Sequence, residues 1–381
     1  MRGRSLLVSV YNVWEVSPRS GMDSDLGRAD IEGSKSDVWG YELILEFTSS
    51  FPPYYTLEEH WLSLSLAQEF QDNPLNALIG GSAGLPKLRE IGSSRLASMD
   101  ANNIHVQVIS HVPVPEILSS PSGCATANNE LATTIAASPD PKRFRGFCIL
   151  PMASPRDAAT ELRRCVTTHG FVGALVDAHL ANESYYDGPA YDPLWAAAVA
   201  LDVPIYLHPT YPSLGDILDT GTGLYAPAVE GEWTDGQAAA MGTPAWGWHE
   251  RTGFGFLRLY LGGVFERYSN LQIILGHMGE LVPYYLWRSD LYLSRGRNRT
   301  LLEVWADNVY VTTSGIFSLD PVATLVRNTN RSRILYSVDY PLARNEDGAA
   351  FMASLRDSGL VTPAEFAQVA YQNAARLLKV T

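Results

Sequence analysis

An α/β fold of the (β/α)₈ barrel kind is predicted for this 381-residue chain by two observations. From Tyr54 onward, eight short apolar, β-branched runs alternate with helix-compatible segments, which is the pattern of a parallel barrel. In addition, residues able to bind metal or move protons close several of these runs: Glu58 with His60, His208, His277 and Asp339. Such barrels carry their active groups at the C-terminal ends of the strands, so pattern and chemistry point the same way.

Taken in order, residues 1–53 are expected to form an irregular, loop-rich N-terminal extension, and residues 54–381 the barrel domain. Residues 17–37 are rich in Ser, Gly, Asp and Arg and lack periodicity, so they read as a loop or disordered arm. The flanking Leu6–Val16 and Val38–Phe47 could add strands or pack outside the barrel. Strands are expected to begin near Tyr54, His105, Arg145, Gly173, Pro204, Leu271, Asn308 and Arg333. Helices are expected over Pro155–Thr168 and Asp192–Leu201, where Pro155 and Pro193 suit the first turn because no intrahelical N–H is lost there. Pro363–Lys379 reads as a closing helix with Thr362 as its N-cap. Two stretches break the alternation, residues 61–92 after strand one and residues 211–248 after strand five. Both are expected to stand over the C-terminal rim and shape a pocket.

Composition narrows the function. A hydrophobic content of 46% is enough for one large core or two smaller ones, and a net charge of −13 argues against sequence-independent binding to nucleic acid or an anionic membrane. No apolar run approaches the about 20 residues of a membrane span. The apolar N-terminus is interrupted by Ser5 and Ser9 and soon meets Asn12 and Glu15, so a cytoplasmic location is expected. Cys124, Cys148 and Cys165 show no framework spacing and are expected as buried free thiols.

Glu58 and His60 are two apart on a strand and share a face. With His208 and Asp339 they offer two imidazoles and two carboxylates, a mixed nitrogen and oxygen set suited to one divalent ion, Zn²⁺ or Mn²⁺. Each residue alone reads more simply as a strand cap or part of a buried hydrogen-bond network. Convergence from strands one, five and eight favours the metal. In Gly276-His277-Met278-Gly279-Glu280, the glycines permit a tight turn that aims both side chains at the rim. A carboxylate bonded to the imidazole would fix its tautomer and raise its basicity for proton transfer.

Six motifs in order, Leu57-Glu58-Glu59-His60, Gly170-Phe171-Val172-Gly173-Ala174-Leu175, Tyr185-Tyr186-Asp187, Leu207-His208-Pro209, Leu275-Gly276-His277-Met278-Gly279-Glu280 and Ser337-Val338-Asp339-Tyr340-Pro341, carry a family resemblance. The chain resembles the non-oxidative aromatic acid decarboxylases of the amidohydrolase superfamily, the hydroxybenzoate and γ-resorcylate decarboxylases. The resemblance runs from about Tyr55 to the C-terminus, and it implies a TIM-type barrel of the amidohydrolase kind. The Glu-x-His form on strand one resembles this group rather than its hydrolytic cousins, which usually carry His-x-His there.

The resemblance implies Glu58, His60, His208 and Asp339 as metal ligands, Asp339, His277 and Glu280 as catalytic groups, and Arg288 as a substrate-binding residue reaching a neighbouring subunit. It also implies a homodimer or homotetramer. The first fifty or so residues have no counterpart in the family. An aromatic often follows the proline matched by Pro341, and Gly255 stands where a histidine is frequent. These departures bear on the substrate rather than on the metal.

The expected reaction is decarboxylation of a small aromatic acid of the ortho-hydroxybenzoate type, such as 2,3- or 2,6-dihydroxybenzoate or salicylate, with ring protonation preceding loss of CO₂. A metal-dependent hydrolase of a lactone, ester or amide would use nearly the same ligands, and an inactive scaffold barrel is a further alternative. Trp61, Tyr211, Trp246 and Trp248 are candidates to flank an aromatic ring.

Overall fold

The computed structural model describes residues 51–78 and 85–380. The expected extension up to residue 50, with Leu6–Val16 and Val38–Phe47, lies outside the described residues, as do residues 79–84 of the first insertion.

Eight strands form where apolar runs were expected: β1 (Tyr54–Trp61), β2 (Ile104–His111), β3 (Phe144–Gly146), β4 (Ala174–Asp177), β5 (Ile205–His208), β6 (Ile273–Leu275), β7 (Val309–Thr312) and β8 (Ile334–Leu335). All pair in parallel, β1-β2-β3 in one ladder and β4 to β8 in sequence order in another. A single parallel bridge from Cys148 to Ala174 joins the two. Each crossover contains helix, as parallel neighbours require.

No backbone ladder closes β8 onto β1. Side chains and one backbone bond bridge that seam instead. Ser337 Oγ accepts from the N–H groups of Leu57 at 3.1 Å and Glu58 at 2.8 Å. Glu59 accepts from the N–H groups of Val338 at 3.1 Å and Tyr340 at 2.9 Å. The His60 N–H donates to the Tyr340 carbonyl at 2.6 Å. Glu59 therefore serves the seam, while Glu58 and His60 on either side of it share the opposite face.

The strand period of two sorts the core. Leu57, Val108, Leu175, Tyr206, Ile274 and Leu335 pack with one another inside the barrel, and Leu377 and Leu378 of the last helix join them. Their neighbours Ile205, Leu207, Ile273 and Leu275 face the helices outside. Tyr206 pointing inward places His208, two residues on, at the inner rim. The helix over Pro155–Arg164 begins at the expected proline and ends in a π turn at Cys165–His169. Thr362 caps the closing segment through a reciprocal capping box with Glu365. That segment is Pro363–Ala367, a π turn at Gln368–Gln372, then Asn373–Leu378.

One expectation is corrected. Cys148 and Cys165 are not free thiols; they form a disulfide across 17 residues. The run after β3 and the π turn after the Pro155–Arg164 helix bring their Cα atoms to 6.4 Å, a proximity that sequence spacing did not reveal. Cys124 is free and buried, as expected. Among the described residues, no helix is long and apolar enough to cross a membrane.

Candidate active site

β1, β5 and the run after β8 bring Glu58, His60, His208 and Asp339 together. Glu58 and His60 are fully buried and His208 nearly so, while the Asp339 side chain keeps 15% of its surface open. His60 Nε2 lies 3.1 Å from Asp339 Oδ1, and His208 Nε2 lies 3.2 Å from Glu58 Oε1. Despite that closeness, Glu58 Oε1, His60 Nε2 and Asp339 Oδ1 are buried without a hydrogen-bond partner. Buried polar atoms are rarely left so, because each costs about 1–3 kcal/mol when unsatisfied. One divalent cation fits this set. Ligand atoms of Glu58, His60 and His208 lie within 4.8 Å of one another, and Asp339 adds a carboxylate at the open side.

The surroundings fix these donors. His208 Nδ1–H donates to the Pro209 carbonyl at 2.7 Å, which leaves Nε2 as the free lone pair facing the cluster. The Tyr206 hydroxyl donates to Glu58 Oε2, so Oε1 is the oxygen left facing the centre. Burial acts to raise the Glu58 pKa, but the charges of His277, His208 and His60 outweigh it and hold the carboxyl well below its usual range.

His277 follows β6 in a backbone that turns left-handed without relying on glycine alone. φ is positive at His277, Met278, Glu280 and Leu281 as well as at Gly279. That turn places His277 Nε2 3.6 Å from Glu58 Oε1 and 3.9 Å from Asp339 Oδ2. Its Nδ1 sits 2.8 Å from Glu280 Oε1. Gly276 is needed here for space: a Cβ would stand 3.0 Å from both Glu58 Oε2 and the Tyr206 hydroxyl. Burial acts to lower the His277 pKa, but the charges of Glu58 and Glu280 outweigh it and hold the ring well above its ordinary value.

His249, which no motif singled out, is also in the site. It extends from the Gly247–Leu261 helix to the second oxygen of Glu280. It lies just past the Gly- and Trp-rich insertion, and its partner lies 31 residues away, so no spacing marks it.

The structure does not bring Arg288 to this cluster within one chain. It is exposed on the Val282–Leu293 helix, with its guanidinium over the Tyr292 ring at 5.3 Å. It lines an open groove with Trp246, Phe254 and Tyr285. Trp61 packs edge-on against His111 in the core, and Tyr211 packs against Trp248. Gly255 faces the Tyr185 ring, which occupies the space a side chain there would need.

A protein-family model described as Amidohydrolase matches residues 116–380. The chain belongs to the amidohydrolase family. Among this amidohydrolase's relatives, Decarboxylase orsB of Emericella nidulans is 43% identical over 334 residues, spanning 86% of this chain and 98% of that protein. Gamma-resorcylate decarboxylase of Rhodococcus jostii is 34% identical over 314 residues, 77% of this chain and 89% of that one. The crystal structure of a dihydroxybenzoic acid decarboxylase from Polaromonas sp. JS666, with bound manganese and the inhibitor 2-nitroresorcinol, superposes with a TM-score of 0.72. It is 30% identical and covers 86% of this chain and 97% of its own. These likenesses favour a decarboxylase over a hydrolase.

Proposed function

We propose that this amidohydrolase is a metal-dependent, non-oxidative decarboxylase of an ortho-hydroxybenzoate-type acid, such as 2,3- or 2,6-dihydroxybenzoate or salicylate. The observation that carries the reading is Asp339: a carboxylate beside unbonded buried ligand atoms, yet partly open to an incoming molecule. Glu58, His60, His208 and Asp339 would hold one divalent ion, manganese or zinc. When bound, that ion supplies positive charge that favours the ionised phenol and orients the carboxylate.

The chain's own groups then account for the proton. Asp339 in its acid form gives a proton to the ring carbon that bears the carboxylate. The carbon–carbon bond breaks, its electron pair restores aromaticity, and CO₂ leaves. His277, whose Nε2 lies 3.9 Å from Asp339 Oδ2, would return a proton to that carboxylate. Glu280 holds the His277 ring by Nδ1 and so keeps Nε2 facing the reaction. Burial of Glu58, His60 and Glu280 excludes water from the polar floor and strengthens each charge interaction there.

Support for an aromatic acid comes from the relatives' names and from the 2-nitroresorcinol in the manganese-bound neighbour. We further propose that the protein works in the cytoplasm as a homodimer or homotetramer, with Arg288 contacting substrate across a subunit boundary. The exposed Tyr284, Tyr285, Trp287 and Tyr292 beside it would gain cover in such an assembly. The test is CO₂ release by manganese- or zinc-loaded protein across a panel of hydroxybenzoates. Release from acids with an ortho hydroxyl, and none from those lacking it, is expected. Ring opening of a lactone without any CO₂ release would overturn the proposal in favour of the hydrolase.

A further inference from the structure

Glu280 binds two imidazoles, not one. Its Oε1 lies 2.8 Å from His277 Nδ1, and its Oε2 lies 2.7 Å from His249 Nδ1. The other nitrogen of His249, Nε2, lies 2.9 Å from the Pro244 carbonyl, so the ring is held at both ends. The two rings are 4.8 Å apart, and His249, His277 and Glu280 are all buried.

The helix that carries His249 is shaped for this approach. Gly253, one turn after His249 on the same face, touches the Glu280 backbone so closely that a Cβ would overlap the Glu280 carbonyl oxygen. Glycine there lets the helix come near enough for His249 to meet the carboxylate. A carboxylate with one oxygen tied can still swing about its last torsion; tied at both oxygens, it presents a fixed acceptor.

We propose that His249 is a positioning residue for the ring-protonation step. It acts through Glu280 to keep the His277 ring oriented, with Nδ1–H on Glu280 and Nε2 toward Asp339. The inference rests on the decarboxylase reading of the same site. Neither the metal-ligand set nor the His277–Glu280 pair by itself requires a third group.

The test compares wild type with His249→Ala and His249→Asn, because the asparagine amide can place an N–H where Nδ1 stands. Metal content, kcat and KM are measured on the hydroxybenzoate that wild type turns over. The His277 ring is followed in each substrate-free protein by ¹⁵N-imidazole NMR. With His249→Ala, kcat is expected to fall about 10- to 100-fold, as for other groups that orient a ligand or base, with KM and metal content little changed. The His277 Nδ1–H signal should shift or vanish. His249→Asn should recover most of the rate and the signal.

Unchanged kcat and an unchanged His277 signal in His249→Ala would overturn the proposal. So would loss of metal in both variants, which would make His249 a structural support of the centre. If wild type decarboxylates no hydroxybenzoate, the functional reading falls, while the NMR comparison still decides whether His249 orients His277.

Discussion

At Asp339 the backbone takes φ 73°, a left-handed value uncommon for a side-chain-bearing residue. Such a conformation costs of order 1–3 kcal/mol and persists only where the surroundings enforce it. Here Glu59 holds the N–H groups of Val338 and Tyr340 on either side, and the bend turns the carboxylate back toward His60. In the proposed mechanism Asp339 is both ligand and proton donor, and Asp339→Asn separates the duties. Asparagine keeps one oxygen for the ion but has no carboxylic proton, so metal should be partly retained while CO₂ release falls by at least about 10²–10⁴. Near-normal CO₂ release from that variant would move the donor role to His277. His208→Ala removes the proposed ligand whose Nδ1–H on the Pro209 carbonyl leaves Nε2 facing the cluster. Metal content by elemental analysis should drop together with turnover, and full occupancy would remove His208 from the ligand set.

Among the elements, the Gly247–Leu261 helix makes the sharpest claim on its neighbours. In an exposed helix, Gly→Ala gains about 1 kcal/mol from helix propensity. At Gly253 the added methyl would overlap the Glu280 carbonyl, and such overpacking costs about 1–3 kcal/mol. Gly253→Ala should therefore lower the urea midpoint and slow turnover together; a stabilised, fully active variant would refute this close packing. That fit could not be read from the chain, since the Glu280 backbone it meets is 27 residues away and no spacing marks the approach. The strands were legible because parallel strands buried on both faces appear as unbroken apolar runs. Glu58, His60, His208 and His277 were legible because they sit where those runs stop. Two further features were not: the extension of the left-handed turn from Gly279 to the non-glycine residues Met278, Glu280 and Leu281, and the Cys148–Cys165 pairing, which depends on where a π turn falls.

For the whole molecule, acid stability turns partly on a histidine outside the centre. Burial pushes the His111 pKa down to about 4, although Nδ1–H donation to the Val112 carbonyl pulls it up. Its Nε2 accepts from the Ser63 N–H at 3.1 Å, a bond that a protonated ring cannot accept. The unfolded chain takes up this proton near its ordinary 6.5 and the folded chain only near 4. The contribution is therefore complete above pH about 6.5 and is lost as pH falls toward about 4, up to about 3 kcal/mol. Urea midpoints across that range should show a shallower slope for His111→Asn than for wild type; equal slopes would exclude His111 as a source of the acid sensitivity. We also propose that residues 52–381 suffice for metal binding and turnover, which a chain beginning at Pro52 would test.

The seam between β8 and β1 has a consequence for how the protein is made. Glu59 leaves the ribosome early, whereas Ser337, Val338 and Tyr340, whose O–H and N–H groups bond its carboxylate, come about 280 residues later. For most of its synthesis the nascent chain carries the Glu59 carboxylate on its first strand with these final partners not yet made. The proposed four-residue centre is therefore complete only after nearly the whole polypeptide has emerged, and a chain released before Asp339 would lack its fourth ligand.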